Sequence, residues 1–138
     1  LYVISKRRTA FEKRFVWWVK DKLDTKKMKE ASKLFEGMHD FKAFSDDSPD
    51  DKSTKCLVES LEVTEDKMKI YIRIKASHFL WKMVRRIVGV LVEVGRGKMK
   101  TEDIEKLLSP HPSRKGTGGG IAEFTAPPSG LFLEKVEY

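Results

Sequence analysis

Residues 68–75 alternate strictly. Met68, Ile70, Ile72 and Ile74 share one face, and Lys69, Tyr71, Arg73 and Lys75 share the other. A period of two marks a strand with one face on a core and the other open to solvent or a partner. The preceding run CLVESLEV has strand composition, and TEDK between the two reads as a turn, so a hairpin is predicted. LYVIS at the start is a short strand followed by the basic loop KRRTAFEKR. RFVWWVK reads as another strand, with Phe15, Trp17 and Val19 on one face and Val16 and Trp18 on the other.

Elsewhere the period lengthens. Asp24 can cap a helix over residues 25–36, where Met28, Ala31, Leu34 and Phe35 form the apolar stripe and Gly37 ends it. HDFKAF, residues 39–44, reads as a short helical turn because Asp40 can accept from its own following amides. SDDSPDDKS (45–53) is a polar loop. Thr101 opens a short helix with Glu102 and Asp103 well placed in its first turn. The Gly/Pro-rich loop SPHPSRKGTGGG follows, and GLFLEKVEY closes the chain as an alternating strand of Leu131, Leu133 and Val136. Strands and helices are interleaved, yet the clear strand pair is a hairpin. The pattern therefore predicts an α+β domain, an antiparallel β-sheet with helices packed on one face.

The most apolar segment, FLWKMVRRIVGVLVEVGRGK (79–98), predicts a helix over 79–94 that Gly95 can terminate. At about 100° per residue its apolar side chains make one broad arc, and Lys82, Glu93 and Arg86 make a polar back. Arg86 is then an ordinary solvated residue. Arg85 falls at the edge of the apolar arc, beside Val92 and Trp81. Its charge is permanent. Either it snorkels to solvent or, buried, it requires an acidic partner.

The net charge of +7 is unevenly spread: residues 1–36 carry +6, residues 37–66 carry −6 and residues 67–138 carry +7. Two basic segments flanking an acidic one suit a polyanion such as nucleic acid, although a Lys-rich solvated surface would look the same. The helix over 79–94 is shorter than the ~20 residues a membrane span needs and is interrupted by charges. No secretory signal is visible, and the single cysteine, Cys56, cannot close an internal disulfide. A cytoplasmic location is expected. The chain starts without Met on a strand already in register, as a piece of a longer polypeptide would.

His39, His78 and His111 are scattered and, with one cysteine, make no metal-ligand spacing. GTGGG (116–120) lacks the Gly-Lys-Ser/Thr ending of a phosphate loop and reads as a flexible loop, with Arg114 and Lys115 beside it able to touch a phosphate. Trp17 and Trp18 suit packing better than base stacking. SDDSPDD has no glycine and terminal glutamate of a calcium loop.

Three blocks in order carry a more specific signal: GMHDFKAF (37–44), KASHFLWKMVRRIVGVLVEVGRGK (75–98) and TAPPSGLFLEKVEY (125–138). Together they resemble the C-terminal half of the tRNA pseudouridine synthase A family, whose pattern runs G-x-H-D-F-x-x-F, then F-x-x-x-M-V-R-x-I-V-G-x-L, then T-A-P-A-x-G-L-x-L. The resemblance implies that Arg85 forms a salt bridge with a catalytic aspartate, keeping it ionised, and that Phe79 helps wall the uridine pocket. It implies a tRNA substrate, modified in the anticodon arm, no cofactor or metal, no membrane, and a homodimer as the full-length protein. By their charge, Lys82, Arg86, Arg114 and Lys115 are the residues expected to contact the RNA.

The departures limit what this chain does alone. The family's R-T-D-x-G motif, which carries the aspartate in the N-terminal half, is absent here, so the isolated chain is not expected to catalyse. Of the family's Y-x-Y only the second tyrosine is matched, by Tyr2, and the family's Arg-Thr before the hairpin is Ser53-Thr54. The glycine-rich loop replaces an Ala-rich helical run. Two alternatives remain open: a non-catalytic RNA-binding module, or a dimerisation module of the same fold.

Overall fold

The computed structural model describes residues 1–8, 15–45, 54–80, 82–108 and 124–132. Five strands, β1 (Tyr2–Ser5), β2 (Trp17–Trp18), β3 (Gly37–Asp40), β4 (Lys55–Glu65) and β5 (Lys69–Ala76), form one sheet in the order β2-β1-β5-β4-β3. Among the described residues the α-helices are α1 (Thr25–Ser32), α2 (Met83–Gly95) and α3 (Thr101–Leu107).

The expected hairpin is the sheet's centre. Asp66 turns it: its carboxylate accepts from the Met68 and Lys69 amides at 2.8 and 2.7 Å, which holds its carboxyl below the usual range. Ile70 and Ile72 are buried and Lys75 and Arg73 are exposed, as the alternation requires, but Met68, placed on the same face as the isoleucines, is exposed and precedes the strand. In β4 the phase changes midway. Cys56 and Val58 are buried, then Leu61 and Val63, because the register shifts between Val58 and Ser60. An extra residue in one strand is a β-bulge, and it keeps both halves of the strand facing the core.

Pairing is antiparallel except at one edge, where Ile4 and Ser5 run parallel to Trp17 and Trp18. The sheet is therefore mixed, not purely antiparallel. Among the described residues of RFVWWVK, 15–20, only Trp17 and Trp18 are strand, and the proposed faces do not hold: Phe15 is exposed while Val16 and Val19 are both buried. Residues 39 and 40 belong to β3, and only Lys42–Phe44 makes a helical turn, with the Lys42 amide donating to Asp40 at 3.0 Å as expected. Of the closing strand, Leu131 forms an antiparallel bridge with Tyr2; Leu133 and Val136 lie outside the described residues.

Asp24 caps α1, accepting from the Lys27 amide at 3.2 Å. The α-helix ends at Ser32 and continues as a tighter turn, Lys33–Phe35, before Gly37, whose φ of 103° suits glycine. Asp103 accepts from the Lys100 amide at 2.9 Å and closes the start of α3. Helix α2 begins at Met83, not at residue 79, because Lys82 takes a left-handed conformation with φ 65°. Nor does Gly95 stop it. Gly97, at φ 83°, does so through paired bonds from its own amide to Val94 (3.0 Å) and from Lys98 to Glu93 (2.9 Å). Gly95 serves packing instead: a Cβ there would lie 2.8 Å from Met28 Sδ, so glycine lets α1 and α2 approach.

The core joins Tyr2, Ile4, Ile70, Ile72, Leu61 and Val63 from the sheet to Met28, Ala31, Ile87 and Leu91 from the helices. Phe35, Phe41 and Phe44 belong to the same core, with Phe44 packed edge to face against the other two.

Candidate active site

Two segments distant in sequence build the site: the first turns of α2 and the strap of residues 124–130. Gly89 lets them meet, because a Cβ there would overlap the Phe124 carbonyl oxygen. One turn earlier the strap is bonded both ways to Arg85. The Ala126 amide donates to the Arg85 carbonyl at 3.0 Å, and Arg85 Nε donates to the Ala126 carbonyl at 2.7 Å. Arg85 is half-buried. Among the described residues no carboxylate pairs with it. With Nε committed, the two terminal nitrogens of the guanidinium keep the fork that binds a carboxylate bidentately.

Tyr2 borders this arrangement. It is fully buried, its hydroxyl donates to the Pro127 carbonyl, and its ring meets Trp17 edge to face with centroids 6.3 Å apart. Burial pushes the phenol well above its ordinary pKa, while the charge of Arg85 pulls more weakly the other way. Tyr2 is thus an O–H donor at any pH near neutral.

Arg86 departs from its expected place. It is 4% exposed, with Nε donating to Thr125 Oγ1 at 3.3 Å, so it is not a solvated back residue. The strap covers the polar side of α2, and no helical wheel contains the strap. Glu93, also assigned to that polar back, is likewise buried and pairs with Arg96, which pairs in turn with Asp21 at 2.7 Å. Lys82 occupies the strained position before α2. Phe79, in the β5–α2 connection, is 45% exposed, leaving an aromatic face for a ligand. Arg114 and Lys115, with the 116–120 loop, lie outside the described residues.

The two described histidines have local partners, and His111 lies outside the described residues. His39 Nε2 lies 2.9 Å from the Glu36 carbonyl, and His78 rests between Cys56 Sγ at 3.2 Å and Ser77 Oγ at 3.1 Å. Burial, with Asp40 nearby, raises the Cys56 thiol, which stays protonated. Trp17 packs, as read; Trp18 is exposed, with the Arg8 guanidinium 5.8 Å from its ring centroid. Sequence reasoning missed Tyr2 and Gly89 as parts of the site. The available signal was their place in the matched Y-x-Y and M-V-R-x-I-V-G patterns.

Fold and site together define an α+β domain in which an arginine on α2 is hydrogen-bonded to the strap. The chain belongs to the tRNA pseudouridine synthase family, whose sequence model matches residues 31–138. It is 41% identical over 129 residues to tRNA pseudouridine synthase A 2 of Clostridium perfringens, covering 94% of this chain and 50% of that protein. It is 39% identical over 139 residues to tRNA pseudouridine synthase A of Clostridium botulinum strain Alaska E43, covering 99% and 54%. The corresponding protein of Aquifex aeolicus is 39% identical over 132 residues, 96% of this chain and 51% of that one. The chain thus spans about half the length of these curated relatives. Among the described residues no helix is long and apolar enough to cross a membrane.

Proposed function

We propose that this chain is the C-terminal half of a tRNA pseudouridine synthase active site, isomerising specific uridines of tRNA once an N-terminal half supplies the nucleophilic aspartate. The observation that carries the reading is Arg85, half-buried and fixed through Nε to Ala126, with no described carboxylate paired to it. A half-buried guanidinium stabilises an ionised carboxylate beside it by direct charge and hydrogen bonding. The aspartate then supports detachment of uracil from the sugar; the base rotates and rejoins through carbon 5. The uridine must leave its stack to reach the site, and Phe79 supplies an apolar wall for it.

Lys82, Arg114 and Lys115 are carried with this reading as RNA contacts, by charge. Arg86 is not, because its burial leaves no surface for a phosphate. A homodimer and a cytoplasmic location belong to the same reading; the mass of the parent polypeptide in solution tests the first.

The decisive experiment replaces Arg85 with Met in the longest natural polypeptide that carries the chain. Pseudouridine formation expels the hydrogen of uridine carbon 5, so tritium release from tRNA labelled there measures it directly. Removing a charge that organises the reacting groups should lower the rate by roughly 100-fold or more, with tRNA affinity nearly unchanged. A folded variant that works at the parent rate refutes the role. A parent that binds tRNA in a strongly salt-dependent way without releasing tritium indicates a binding module instead.

A further inference from the structure

We infer that Tyr2 is a positioning residue for Arg85, acting through the adjacent carbonyls of Ala126 and Pro127. The inference rests on the catalytic reading of Arg85 given above. The Ala126-Pro127 unit is held from two sides: Arg85 Nε donates to the first carbonyl at 2.7 Å, and the Tyr2 hydroxyl donates to the second. Little freedom lies between those two oxygens. The peptide joining the residues is planar, and the ring of Pro127 fixes its φ, here −66°. One soft torsion remains, the ψ of Pro127, and the bond from Tyr2 restrains it.

Pro127 has no N–H of its own to donate, so at that residue the phenol supplies a holding bond. Tyr2 is itself immobilised. It is fully buried, edged by Trp17, bridged to Leu131, and so closely covered by Gly130 that a Cβ there would lie 2.7 Å from the Tyr2 ring. Rigid support of this kind is what a guanidinium needs to meet a carboxylate in a fixed orientation, since a shift of about 1 Å at a reacting centre can cost about 100-fold.

The test uses the same parent polypeptide and tritium-release assay. Tyr2→Phe removes only the hydroxyl. It should lower kcat by about tenfold, an intermediate misplacement, leaving KM for tRNA within about twofold and the thermal midpoint close to the parent's. Arg85→Lys keeps a charge but has no Nε–H for Ala126, so the Tyr2→Phe effect should shrink to about twofold or less in that background. Full activity of Tyr2→Phe, an equal loss in both backgrounds, or a loss carried by KM or by unfolding would each overturn the inference. An inactive parent would overturn the catalytic reading instead, which distinguishes the two failures.

Discussion

Helices α1 and α2 both contribute basic side chains, and those side chains do opposite things. On α1, Lys26, Lys27 and Lys29 are exposed, and only Met28, Ala31 and Ser32 are buried. On α2, eleven of 13 residues are buried, including Arg86, and Arg85 is fixed to the strap. The lysines are strongly hydrated point charges on flexible stems, and water is their best partner. The arginines present planar donors that backbone and side-chain oxygens can hold. Charge counted along a chain therefore locates cations without saying which are organised. The strap of residues 124–130 makes the difference, because its Ala126 carbonyl and Thr125 hydroxyl accept from the arginines of α2.

The largest expected effect attacks the strap. Gly89→Ala places a Cβ onto the Phe124 carbonyl, a backbone atom that cannot turn aside as a side chain would. The variant should lose more than about 3 kcal/mol, at the upper end of overpacking costs, or release the strap from α2. Denaturant unfolding measures the first, and hydrogen exchange at the Ala126 amide the second. If Gly89→Ala is as stable and as protected as the parent, the strap does not depend on this crossing and the contrast between the helices fails.

Much of this was legible in advance, for reasons tied to particular residues. The Ile70/Ile72 alternation, the Asp24 cap and the MVRRIVG run are local signals, and local physics places them. The parallel pairing of Ile4 with Trp17 is non-local, as are the burial of Arg86 under Thr125 and the clamp on Arg85 by Ala126. Arg86 and Thr125 are 39 residues apart, so a wheel drawn on the helix alone turned a covered face into a solvated one. Arg85 was readable in part: its place at the edge of the apolar arc posed the need for a partner, although only the family resemblance suggested which. The start of α2 was misplaced because Lys82 adopts a left-handed conformation that lysine seldom takes.

A smaller effect sharpens the contrast between the cations themselves. Arg86→Ala removes a buried stem and the donor to Thr125, and should cost about 2 kcal/mol from lost packing and an unmet acceptor. Lys27→Ala on α1 should stay within about 0.5 kcal/mol, as exposed substitutions usually do. Equal unfolding midpoints for the two variants would mean that the burial of Arg86 carries no energetic weight.

The smallest effect belongs to the α1 end of the molecule, where one acidic side chain gathers two partners. Glu65, at the end of β4, accepts from Lys6 Nζ at 2.6 Å and from Thr25 Oγ1 at the first residue of α1. The Lys6 bond, then the Thr25 bond, hold its carboxyl below the usual range against some opposing burial. A carboxyl whose folded pKa is depressed binds fewer protons in the folded state. Its contribution is therefore present above the unfolded value near 4.5 and disappears as pH falls through the lower folded value. Because the pair is partly solvated, the contribution is about 0.5 kcal/mol. Glu65→Gln should lower stability by that amount at neutral pH and by nothing at the acid end of the window, so the two stability curves converge as pH falls. Parallel curves would show that Glu65 is as loosely held as the lysines around it, and the contrast with the strapped arginines would then extend to the whole α1 end.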